Sequence, residues 1–101
     1  MKEYEIYLPS TKNDGTPTDR ASIDRFKEML VQAFGGYTHL RHRSEGAWRM
    51  GSVTFRDEVT ILRVLDDGES GFDWKQFKAQ VEKALDQETV LIVERVVRIV
   101  E

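Results

Sequence analysis

The residues best equipped for chemistry crowd into one stretch, Leu40-Arg41-His42-Arg43-Ser44-Glu45-Gly46-Ala47-Trp48-Arg49, with His39 just before it and Asp57 and Glu58 just after. Arginine presents a planar fork of donors that matches a carboxylate or phosphate. A small anionic ligand is therefore the chemistry this stretch would serve. On a strand, His39, Arg41 and Arg43 would share one face, whereas His39 and His42, three apart, would point opposite ways. Those two histidines cannot share a metal unless a bulge intervenes. The same residues also read as a solvated strand face whose charges pair with Glu45, Asp57 and Glu58. Cysteine is absent, which removes thiolate zinc ligation and a catalytic thiol. The acidic turns Asn13-Asp14-Gly15 and Asp66-Asp67-Gly68-Glu69 lack the alternate-position ligands of a calcium loop. There is no phosphate-cradling glycine loop and no Gly-x-Ser-x-Gly elbow. No metal and no cofactor are expected, and no residue is assigned a catalytic role.

The elements that must position these side chains can be read from periodicity. Tyr4-Glu5-Ile6-Tyr7-Leu8 alternates and stops at Pro9, which predicts a strand. Residues 10–18 form a polar loop. A helix is expected from about Asp19 to Phe34, closed by Gly35-Gly36. Residues 37–49 read as a second strand whose alternation breaks near Ser44-Glu45-Gly46, and Met50-Gly51-Ser52 reads as a turn. Val53-Thr54-Phe55 and the β-branched run Val59–Leu65 continue extended. A second helix is expected from Trp74 to about Asp86, with Asp73 as its N-cap and Gln76 three residues on. A last strand begins near Thr89. The apolar residues Ile23, Phe26, Leu30, Ala33 and Phe34 recur at offsets that Trp74, Phe77, Val81, Ala84 and Leu85 repeat.

Two strand–helix–strand units in tandem make one domain over residues 1–101, a ferredoxin-like α+β sandwich of order βαββαβ. Right-handed crossovers would put both helices on one face of a four-stranded antiparallel sheet of order 4-1-3-2. The opposite face is then uncovered. In the last strand Leu91 and Val93 face one way while Val90 and Ile92 face the other, and both sets are apolar. A long apolar strand at a sheet edge must be paired or covered, and a two-fold contact between copies is the commonest device. Val90, Leu91, Ile92, Val93 and Val97 are thus the expected interface of a homodimer, formed through the open sheet face, the last strand, or both. The alternative is that the 37–65 hairpin shields the strand within one chain.

A net charge of −3 over 101 residues argues against a general polyanion binder. The longest apolar run, Val90–Val93, is far short of a membrane span. The charged N-terminal stretch does not read as a signal peptide, and the lack of cysteine suits a reducing cytoplasm.

Ile6-Tyr7-Leu8 and Arg49–Phe55 resemble the two strand motifs of the RNA-recognition motif. That resemblance implies a single-stranded nucleic-acid binder of degenerate type, since Met50 and Ser52 stand where stacking aromatics belong, and it implies a helix over Asp57–Leu65. Phe34-Gly35-Gly36-Tyr37-Thr38, then Gly46-Ala47-Trp48-Arg49, then Glu58 resembles a diffuse group of small uncharacterised bacterial ferredoxin-like proteins. Their Gly-Gly-x-Thr … Gly-x-Trp … Glu layout implies the fold, and it implies that a site, if the layout marks one, involves Trp48, Arg49 and Glu58 with His39 and Arg41 nearby. The leading expectation is a soluble binding or interaction module for a protein partner or small anionic ligand. The alternative is a small cofactor-independent enzyme of the dimeric ferredoxin-like barrel type, with those same residues lining its pocket.

Overall fold

In the computed structural model, which describes residues 1–101, the elements run β1 (Lys2–Pro9), α1 (Arg20–Phe34), β2 (Thr38–Met50), β3 (Val53–Asp66), α2 (Trp74–Ala84) and β4 (Ile92–Val96). The sheet order is β2-β3-β1-β4, all neighbours antiparallel, which is the ferredoxin-like sandwich. Alternation along β1 sends Tyr4, Ile6 and Leu8 to one side, where they meet Leu62 and Val64 of β3. Phe26 and Leu30 of α1 and Phe77 and Val81 of α2, with Leu85 just beyond, complete that core. Both helices therefore lie over the same sheet face, as right-handed crossovers require, and each turns the same spacing of apolar residues onto it. Fully burying each such side chain is worth roughly 1.5–3 kcal/mol.

The helix ends follow from local chemistry. The Asp19 carboxylate accepts from the Ala21 N–H and the Ser22 hydroxyl, and the Asp73 carboxylate accepts from the Gln76 N–H. Each satisfies a donor the first turn would leave unpaired. Gly35 ends α1 at φ 82°, donating to the Val31 carbonyl. At the front of α2 the Trp74 ring stacks on Tyr4 with centroids 4.0 Å apart, and its ring N–H points to Asp66 at 3.4 Å.

Two expectations need correction, and one implication of a resemblance falls away. The break in β2 is a bulge at Arg41–Arg43: Leu40 opposes Ile61 and Ser44 opposes Val59, so three residues face Thr60 alone. Residues 53–66 form one unbroken strand, which removes the helix that the RNA-recognition-motif resemblance implied over Asp57–Leu65. β4 spans only Ile92–Val96, and Val90 is sunk in the monomer core at 1% exposure.

The hairpin of β2 and β3 outruns the rest of the sheet. β1 pairs with β3 only as far as Pro9 opposite Val59, with one further bond from the Ser10 N–H to the Glu58 carbonyl. Residues 44–58 project past that point as a two-stranded arm, turning at Gly51 (φ 63°), and the molecule is drawn out to 44 × 26 × 25 Å.

Candidate functional site

The arm's register decides which chemistry-bearing residues can meet. Val59, Asp57, Phe55 and Val53 oppose Ser44, Gly46, Trp48 and Met50, so these share one face. Glu58 and Arg56 share the other face with Glu45, Ala47 and Arg49. Trp48 is therefore separated from both Arg49 and Glu58, and stacks instead on Phe55 with centroids 4.6 Å apart and planes 20° from parallel. Glu58 lies 3.6 Å from Arg43, and Glu45 lies 3.9 Å from Arg56. All four charges are well exposed, where such pairs contribute little.

His39 sits elsewhere, opposite Leu62 on the helix-covered side. Its Nε2 shares a 3.1 Å hydrogen bond with the Thr60 hydroxyl, and its Nδ1 is buried without a partner. Burial, with the charges of Lys27 and Arg41 adding to it, holds the imidazole pKa below its usual value. His39 is thus a neutral, structural histidine at neutral pH. Arg41 is an exposed member of the bulge. The five residues expected to form one site do not converge: Trp48 lies on one face of the hairpin, His39, Glu58 and Arg49 lie spread along the other, and Arg41 sits in the bulge. No three His, Asp or Glu side chains converge as metal ligands.

Two other constellations are assembled instead. The first lies on the uncovered sheet face. Glu5, on the face opposite Tyr4 and Ile6, is only 5% exposed. It accepts from Arg63 Nη2 at 2.9 Å and from Arg95 Nη2 at 2.7 Å. Glu3 stands 2.9 Å from Arg63 Nε and 3.9 Å from Arg95 Nη1. The Arg63 hydrogen bond holds the Glu5 carboxyl below the usual carboxylate range; burial opposes this, and the charges of Arg95 and Arg63 reinforce it. These two arginines converge, but on the protein's own carboxylates rather than on an anion. The signal was visible as Arg63 and Arg95 interrupting aliphatic runs, and as Glu3 and Glu5 alternating with Tyr4 and Ile6.

The second is an apolar cleft of about 520 Å³ at the root of the arm. Tyr7, Pro9, Val59 and Ile61 line it from the sheet, Leu91 from the β4 side and Trp48 from the arm. Glu45, Asp57 and Lys78 also border it. The Lys78 ammonium is already held by Glu82, whose carboxylate also accepts from the Val90 N–H at 2.8 Å. Concave, mostly apolar walls with a few polar groups at the mouth suit an apolar ligand or a protein side-chain cluster. Of the residues singled out for binding, only Trp48 lies on this cleft; of those singled out for an interface, Leu91 does, together with the buried Val90.

No protein-family model matches the chain, and no curated protein matches it. The Gly-Gly-x-Thr … Gly-x-Trp … Glu layout accordingly corresponds to no family model, and the structure places its Trp48 and Glu58 on opposite faces of the arm. Among solved structures, CutA1 from Pyrococcus horikoshii superposes with a TM-score of 0.63 over 100% of this chain and 87% of that one, at 11% identity. The likeness is one of fold.

Proposed function

We propose that this ferredoxin-like chain is a binding module that works as a homodimer, associating through the cleft side of its open sheet face and the edge of β4. One observation carries this reading: the apolar cleft at the arm's root is continuous, through Leu91, with an unpaired sheet edge. Leu91 is 57% exposed and Val96 82% exposed. Ile92 and Val93 are half-buried, and no strand lies beyond them. The long hairpin that could have shielded β4 within one chain pairs at the opposite edge of the sheet and reaches only the Leu91 end, across the open cleft.

Covering Leu91, Val93, Val96 and Val97 together with the cleft walls stabilises by roughly 1.5–3 kcal/mol for each side chain fully buried. Four or five such side chains approach the estimated cost of association, about 4–15 kcal/mol. The charged half of the face, around Glu5, is already satisfied internally and needs no cover. The convergence of Trp48, Arg49, His39 and Glu58 that the enzyme reading required is not what supports this one; the apolar continuity is.

The test is sedimentation velocity over a concentration series from low to high micromolar. A reversible monomer–dimer shift is the expected outcome. A single monomeric species throughout would overturn the proposal.

A further inference from the structure

Resting on that self-association, we infer that the partner of the Leu91 side of the cleft is the C-terminal segment Val96–Val100 of a second copy, each chain laying its segment beside the start of the other's β4. The segment is aliphatic and exposed: Val96 at 82%, Ile99 at 47% and Val100 at 87%. It leaves the sheet at the end opposite the cleft, because β4 runs antiparallel to β1 and Val96 pairs with Lys2. The Val97 N–H donates to the Met1 carbonyl at 3.0 Å, so the chain is still heading away from the cleft there.

Reach excludes the intramolecular alternative. Tyr7 and Pro9 lie about 17–23 Å from Lys2 along β1 at ~3.3 Å per residue. Val100 lies three residues past Val97, and three extended residues span at most ~11 Å. A chain cannot turn its own segment back into its own cleft, whereas a second chain can supply one.

The geometry of the β4 edge makes the exchange reciprocal. Tyr7 N–H donates to the Leu91 carbonyl, and Val97 N–H to the Met1 carbonyl. The odd-numbered residues of β4 therefore spend their backbone groups on β1, and Ile92, Glu94 and Val96 turn theirs outward. Two copies set antiparallel along these free edges about a two-fold axis place each C-terminal segment against the start of the other's β4. That is the Leu91 side of the cleft. Charge agrees: Glu45 and Asp57 stand at the mouth, Lys78 is neutralised by Glu82, and Arg98 of the segment has no acidic partner within its own chain.

The experiment compares wild type, Ile99→Asp and Leu91→Asp by sedimentation over a concentration series, with thermal melting of each to confirm folding. Both side chains are exposed in the monomer, so neither change disturbs the core. Each variant should raise the concentration at half-association by about tenfold or more. Mixing the two variants should recover an intermediate affinity, since that pair keeps one intact cleft facing one intact segment. Wild-type-like association of folded Ile99→Asp would overturn the segment's role and leave the dimer standing. A wild type that stays monomeric at high micromolar concentration would remove both.

Discussion

Glu5 shows how much one side chain can depend on residues distant in sequence. Its carboxylate is held by Arg63 and Arg95, 58 and 90 positions away, on a sheet face with no helix over it. Those guanidinium groups lie over Glu5 and account for its burial where solvent was expected. Glu5→Gln keeps the shape and removes the charge, leaving two guanidinium groups short of an acceptor. The expected loss is about 1–3 kcal/mol at pH 7, tempered because both arginines remain partly solvated. The pH dependence follows from the direction of the shift. The folded-state pKa of Glu5 lies below its ordinary value, so the stabilisation is complete above the ordinary carboxylate range and is lost as pH falls through the lower, folded value. Urea titrations of wild type and Glu5→Gln should differ at pH 7, and the difference should shrink once pH falls below the ordinary carboxylate range. A gap that persists undiminished at low pH would refute an ionic origin. The sequence displayed the four charges and their parity, but their convergence needed the strand order β3-β1-β4. No local pattern states which two arginines flank which glutamate.

At the scale of elements, local chemistry was most legible where it is self-contained. Asp19, Asp73 and Gly35 mark helix ends by interactions within four residues, and the structure places all three as caps. Gly35 and its neighbour Gly36 allow a controlled comparison. A Cβ at either position meets nothing within 4 Å, but only Gly35 has a left-handed backbone, φ 82°. Gly35→Ala should cost about 1 kcal/mol through backbone strain alone, while Gly36→Ala should stay within about 0.5 kcal/mol of wild type by denaturant titration. Equal effects would contradict a conformational role for the first. The arm was less legible. Its strands were foreseen, but its independence depends on where β1 stops supplying a third strand, a relation between residues 9 and 59. With no third strand beyond Glu58, residues 44–58 rely on cross-strand pairs such as Trp48 on Phe55, worth about 0.5–1.5 kcal/mol beyond burial. Trp48→Ala should therefore speed amide hydrogen exchange across Glu45–Asp57 and leave protection at Ile6 and Leu62 unchanged. Loss of protection in the core strands as well would show that the arm folds as one unit with the sheet.

For the whole molecule the decisive relation is between two ends that one chain cannot join. The order βαββαβ was readable because both helices carry the same apolar spacing, and it correctly left β4 at an edge. What it could not show is that Val90 turns into the core while Leu91 and Val96 remain outside, since an aliphatic run of both parities does not say where the strand begins. The division has a direct consequence for backbone protection. In a lone chain the amides of Ile92, Glu94 and Val96 face solvent, whereas those of Val93 and Arg95 are committed to β1. Protection should therefore alternate along β4 at low concentration. Association along this edge would pair the outward amides and abolish the alternation as concentration rises through the sedimentation midpoint. Burial of side chains in the cleft without edge pairing would protect Leu91 and Ile99 contacts yet leave the three outward amides fast. Residue-resolved hydrogen exchange at two concentrations bracketing that midpoint distinguishes these outcomes. Edge pairing predicts slowing at Ile92, Glu94 and Val96 together, with Val93 and Arg95 little changed. Concentration-independent exchange at all three, in a sample that sediments as a dimer, would mean that the copies associate without pairing along this edge.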